Sequence, residues 1–228
     1  MRLCSYTIVH DYGFAPNPFW GYCSLGVCTP NHQGLKLSKG DWIVGISEMN
    51  QGSHLVYAMH VSEVLGMDDY FRDPRFRKKK PDLNGTWKEQ CGDNIYFRVR
   101  GGTGWKQAPT RFHDDAALRK QDTKYAKVFI AKEFFYFGES SQELPDEFAP
   151  FIRDRNGCSC KYSDELVTSF VNWIRDNYAP GIHGNPRDLD DQNAEPFQAD
   201  LCGSRLRKRS FGTVRRSGCG GLDNSGGA

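Results

Sequence analysis

An α+β fold, mainly an antiparallel sheet or barrel with one substantial helix packed on it, is what this chain of 228 residues predicts. Three observations carry that expectation. Apolar runs of strand length recur up to Phe137, Gly- and Asp-containing turn clusters separate them, and a helical stripe comes once and late, between Ser163 and Tyr178. No internal repeat is visible.

Leu3 to His10 reads as the first strand, with Cys4, Tyr6 and Ile8 on one face and Leu3 and Val9 on the other. Apolar residues on both faces make it central. Residues 14 to 30 then pack rings, prolines and glycines into a long connection. Pro16, Pro18 and Pro30 fix φ while Gly13, Gly21 and Gly26 permit sharp bends, so one defined shape is expected. Two readings suit this loop: a stacking wall of Phe19, Trp20 and Tyr22 for a flat ring, or a core flap over a sheet edge.

Lys39-Gly40-Asp41 is turn chemistry and leads into the strand Trp42 to Ile46. Gln51-Gly52-Ser53 breaks the chain before Leu55 to Leu65, a third strand expected to pair antiparallel with the second. Between Met67 and Leu83 the texture changes to a basic insertion, where Arg72, Arg75, Arg77, Lys78, Lys79 and Lys80 interleave with Tyr70, Phe71 and Phe76. That mixture suits a nucleic-acid-facing surface or a solvated excursion. Ile95 to Val99 is a short strand, and the glycines from 101 to 104 lack the spacing of a phosphate-binding fingerprint. Val128 to Phe137 reads as one long buried strand. Ser163 caps the helix, Asp164 and Glu165 suit its positive end, Leu166, Phe170, Ile174 and Tyr178 form its apolar face, and Pro180-Gly181 stops it.

The net charge of +2 hides an asymmetry. Beyond Gly203 six basic residues stand against one acidic, a net +5, leaving 24 basic against 27 acidic residues, a net −3, before it. Residues 1 to 203 therefore read as one domain and 204 to 228 as a basic Gly/Ser-rich tail, expected to be disordered and suited to polyanions or to solvation. With no membrane-length apolar run and no export signal, the expectation is a soluble cytoplasmic protein whose eight cysteines are mostly reduced. Neither Cys23 with Cys28 nor Cys158 with Cys160 has a matching second pair, so no structural zinc is expected.

Polar residues gather at strand ends. Asp11, Asn17, Asp93 and Asn94 have the donors and acceptors to read a base edge, Trp42 joins Phe19, Trp20 and Tyr22 as a stacking surface, and Tyr96 is a further base-binding candidate. Each Asp and Asn equally suits a turn that bonds its own backbone. Catalytic candidates are Asp11 or Asp93 as general base and His113 or His183 as acid. A metal-hydrolase set of His10, Asp11, His113, Asp114 and His183 has the right residue types without a ligand spacing on any one element, and Cys91 is a nucleophile candidate beside His113 or His183. Arg75, Lys78, Lys79, Arg207 and Arg209 are the candidates for contacting a nucleic-acid backbone. No cofactor is implied.

Several motifs occur in order: Asp11-Tyr12-Gly13-Phe14-Ala15-Pro16-Asn17-Pro18-Phe19-Trp20-Gly21-Tyr22-Cys23, Gly40-Asp41-Trp42-Ile43-Val44-Gly45, Tyr57-Ala58-Met59, Tyr70-Phe71-Arg72-Asp73-Pro74-Arg75-Phe76, Gly92-Asp93-Asn94-Ile95-Tyr96 and His183-Gly184-Asn185-Pro186. Together they resemble the nucleotide modification associated domain 2 family, from the first strand to about Asp188. The resemblance implies a setting of phage or bacterial DNA base hypermodification and related conflict systems. A second likeness, in the step from Gly40 through Trp42 to the strand at Tyr57, is to PUA-like barrels including the EVE and ASCH branches, and implies a base-binding barrel. The leading expectation is thus a module that takes a modified or unmodified base of DNA or a nucleotide into an aromatic pocket. The alternatives are a transferase or hydrolase acting on a nucleobase or nucleotide precursor, and an interaction subunit that partners other modification or defence proteins.

Overall fold

The computed structural model describes residues 1–28, 34–99, 101–113, 116–153 and 157–189. Its centre is a six-stranded sheet that follows from the apolar runs. Strand β1 (Leu3–Ile8) lies beside β3 (Trp42–Ser47), which pairs with β4 (Leu55–His60) and, through it, with β9 (Glu133–Tyr136). Two-residue strands, β10 (Cys158–Ser159) next to β1 and β11 (Gly181–Ile182) next to β9, form its edges. The β3–β4 pair is antiparallel, as the short connection predicts, whereas β1–β3 and β9–β11 are parallel.

A second sheet has the order β2 (Cys23–Leu25), β8 (Lys127–Ala131), β5 (Glu63–Gly66), and β6 (Tyr96–Arg98) makes a hairpin with β7 (Trp105–Gln107). The run from Val128 to Phe137 is therefore two strands, not one. Exposed Lys132 separates β8 from β9 and hands the chain from the second sheet to the first. Among the described residues no sheet closes into a barrel, so the PUA-like barrel expectation is not borne out; the α+β class holds. The six-stranded sheet ends on both sides in two-residue strands, β10 and β11, which leave little edge to pair further.

Cys4, Tyr6 and Ile8 of β1 face one core, shared with Tyr57, Met59 and Tyr136. Leu3, Trp42 and Val44 face the opposite core, which receives the C-terminal helix. Strict alternation along β4 breaks at a register shift beside Gly45, where any Cβ would lie 2.3 Å from the Tyr57 ring. The helix is α4 (Asp164–Asn177), and the Ser163 hydroxyl accepts from the Leu166 N–H as its pattern predicts. Val167, Phe170, Val171 and Ile174 are its buried residues.

The basic insertion folds into α1 (Met67–Arg72) and a 3₁₀ segment from Pro74 to Lys79, followed by α2 (Trp87–Gln90). A further helix, α3 (Ala116–Asp122), precedes β8. These elements, the loop between β1 and β2, and the second sheet enclose a third core containing Phe14, Phe19, Phe76, Tyr96 and Phe112. Cys4 and Cys160 form a disulfide, a pairing that spacing did not reveal, while Cys23, Cys91 and Cys158 are free thiols. No described helix is long and apolar enough to cross a membrane.

Candidate functional site

The aromatic loop owes its shape to backbone that only certain residues tolerate. Gly13 adopts a φ of +70°, and a Cβ there would approach Pro186 to 2.7 Å and Phe19 to 2.9 Å. Asn17 and Ser24 exchange two backbone hydrogen bonds of 2.9 Å, closing a narrow ribbon. Its tip is Trp20-Gly21, both in the left-handed region with φ of 64° and 79°.

Beneath that ribbon lies a sealed polar network. The Lys79 ammonium donates to the Asn17 backbone carbonyl at 2.9 Å and to its Oδ1 at 2.7 Å, while Asn17 Nδ2 donates to the Cys91 carbonyl. Ser24 Oγ donates to Asp93 Oδ2 at 2.6 Å, and the Tyr70 hydroxyl donates to Asp93 Oδ1 at 2.8 Å. Asn94 Nδ2 donates to the carbonyls of Tyr70 and Phe76. Burial pushes the Lys79 amine down to about 8 and holds the Asp93 carboxyl above its usual range, against the attraction of Lys79. Lys79 is thus an internal donor, which corrects its assignment to a nucleic-acid backbone. Arg75 is engaged as well, in ion pairs with Glu63 and Asp73.

Phe19, Trp20 and Tyr22 all pack on the third core, and the insertion covers them. Tyr22 meets Phe76 edge to face at 5.1 Å, and Phe19 meets Trp87 likewise at 5.5 Å. The Lys78 ammonium stands 5.5 Å from the Trp20 ring, and Lys88 stands 5.8 Å from Phe19 and 5.3 Å from Trp87. Trp42 does not join them. Its ring is wholly buried on the opposite face of the six-stranded sheet, stacked with His60 and Phe135.

Asp11 sits at the base of the loop, where the Tyr136 hydroxyl lies 2.6 and 2.8 Å from its two carboxylate oxygens. Burial raises its carboxyl to about 6, opposed by the Tyr136 bond. The three candidate histidines go to separate partners. His10 pairs with Asp188 at 3.8 Å, and His183 faces the Ala179 carbonyl and stacks on Phe137.

His113 is fully buried, and its partners are neither Asp11 nor Asp93. Its Nδ1 lies 2.8 Å from Asp122 Oδ2 and its Nε2 lies 3.1 Å from Cys28 Sγ. Tyr96 donates its hydroxyl to the same Asp122 oxygen at 3.0 Å, and Phe14 closes edge-on over the imidazole at 5.0 Å. Cys28 and Asp122 carried no recognisable signal in the sequence: one sits 85 residues from His113, the other in a short charged helix. Among the described residues no group of three or more His, Cys, Asp or Glu side chains could hold a metal ion. Asp114, Arg207 and Arg209 lie outside the described residues.

The family model for nucleotide modification associated domain 2 matches residues 1–193. The chain belongs to this family. Every residue of the loop, the insertion and the His113 group falls within the matched span, and membership associates the chain with nucleotide modification. No curated protein and no solved structure matches it.

Proposed function

We propose that this member of the family recognises a nucleobase, in DNA or as a nucleotide, through the partly buried indoles of Trp20 and Trp87 and the lysines beside them. The observation that carries this reading is the placement of Lys78 over Trp20 and of Lys88 over Phe19 and Trp87. Indole faces offer sequence-tolerant stacking, and neighbouring ammonium groups attract phosphate. Base-edge reading by Asp11, Asn17, Asp93 or Asn94 has less support, because their polar groups are engaged in internal bonds. The partner in this reading is DNA or nucleotide, modified or unmodified, and the place of action is the cytoplasm.

Titration of the full chain with fluorescently labelled single-stranded oligonucleotides, with and without base modification, tests it. Trp20→Ala is expected to weaken binding by about 1–3 kcal/mol, and Lys78→Gln with Lys88→Gln to flatten its salt dependence. Unchanged affinity in Trp20→Ala removes the stacking role. The enzyme alternative draws on a different observation, the contact between His113 and Cys28.

A further inference from the structure

We infer that Cys28, His113 and Asp122 form a thiol-nucleophile catalytic site for an acyl or amidine electrophile, an activity separate from base recognition at Trp20. Three features of geometry support it. The sulfur, imidazole and carboxylate are connected in series, Sγ to Nε2 at 3.1 Å and Nδ1 to Oδ2 at 2.8 Å, which is the nucleophile, base and orienting group of covalent catalysis. The carboxylate that accepts from Nδ1–H leaves Nε2 of the neutral ring as the acceptor facing the thiol. Of the three residues only Cys28 reaches the surface; His113 is 0% exposed and Asp122 1%.

That gradient suits catalysis: the nucleophile belongs to a partly exposed residue, while the base behind it is screened and held by Phe14, Asp122 and, through Asp122, by Tyr96. The other loop-side thiols lack this arrangement. Cys23 and Cys91 are buried, and burial pushes both up to about 12. Cys28 itself takes a φ of 59°, a conformation uncommon outside glycine and concentrated at functional positions.

The chemistry balances without a further reactant other than water or an accepting amine. His113 Nε2 takes the thiol proton as sulfur attacks the sp² carbon of the substrate, forming a C–S bond. The C–N or C–O bond to the leaving group then breaks, and the imidazolium returns its proton to the departing nitrogen or oxygen. Water or an amine, deprotonated by the same imidazole, attacks the thioester or thioimidate carbon and releases the thiol. Such a step hydrolyses an acylated or amidine-bearing substrate, or transfers its acyl group to an amine.

The test uses the full-length chain with its Cys4–Cys160 disulfide intact and p-nitrophenyl acetate, with iodoacetamide as a second probe. A burst of about one p-nitrophenol per chain is expected, with an acetyl group on the peptide that contains Cys28. Cys28→Ala abolishes both and leaves oligonucleotide affinity unchanged, so failure here and failure of the recognition reading are told apart. His113→Gln slows acylation by about 100-fold, and Asp122→Asn lowers the rate and alters its pH profile. Circular dichroism confirms that each variant is folded; because Cys28 is partly exposed, Cys28→Ala keeps the test valid if a His113 variant unfolds. Iodoacetamide at about pH 6.5 labels Cys28 at least about ten-fold faster than Cys158. Acetylation that persists in Cys28→Ala, equal labelling of Cys28 and Cys158, or an unchanged rate in folded His113→Gln overturns the proposal.

Discussion

Two polar chains lie beside the same aromatic loop, and they differ in where they end. The Lys79–Asn17 and Ser24–Asp93–Tyr70 bonds are sealed, with every one of these five residues buried. The Asp122–His113–Cys28 chain begins equally deep but ends at a partly exposed residue, Cys28. Buried polar groups must find partners wherever they lie, so bonding alone does not mark a site. What separates the two is burial: one chain holds the loop to the insertion, and the other runs out to a residue at the partly exposed edge of the core.

This contrast is sharpest in stability. Lys79→Ala takes the ammonium from both oxygens of Asn17 and leaves Asp93 without a nearby cation, and is expected to cost about 3–5 kcal/mol in denaturant unfolding. A cost below about 1 kcal/mol would mean that the sealed network does not hold the ribbon.

Asp11, sealed at the loop's base, gives a prediction in pH. Its carboxyl is raised from 3.8 to about 6 in the folded state, so between those values the folded chain binds more proton than the unfolded one. Its contribution to stability is full below pH 3.8 and is lost as pH rises toward about 6. Relative to Asp11→Asn, the parent chain should lose about 3 kcal/mol across that window, measured by unfolding at stepped pH. Equal slopes in the two proteins would show that Asp11 is not held as the acid.

Smaller effects follow where one bond is removed. Tyr70→Phe takes away the donor to Asp93 Oδ1 and is expected to cost about 1–2 kcal/mol in the same unfolding assay. Cys28→Ala, at the open end of the other chain, should change stability by less than about 1 kcal/mol. A loss comparable with that of Lys79→Ala would make the Cys28–His113 contact a structural bond.

The fold was readable wherever a local pattern repeats. The alternation in β1, the turn before β3, the β3–β4 pairing and the capped helix from Ser163 all express which side of an element is apolar, and the structure has them. The division of Val128 to Phe137 was not readable, because a buried strand in either sheet has the same apolar composition and only the neighbouring strands distinguish them. Of the site, the loop's aromatic character and His113 were legible. Lys79 in the core and Trp42 in the opposite core were not, since an amphipathic stem or a ring has the same sequence signature whichever side covers it.

By itself, then, the sequence determined the α+β class, the places of β1, β3, β4 and the Ser163-capped helix, the aromatic loop bent at Gly13 and Gly21, and the family that the chain belongs to. Tertiary structure alone decided that the sheets remain open, that Cys4 meets Cys160, that Asp11 answers to Tyr136, and that His113 joins Cys28 to Asp122. The reason is physical. Apolar periodicity is a property of neighbours along the chain, whereas the partner of a buried polar atom is chosen by the path that brings distant segments within hydrogen-bond reach.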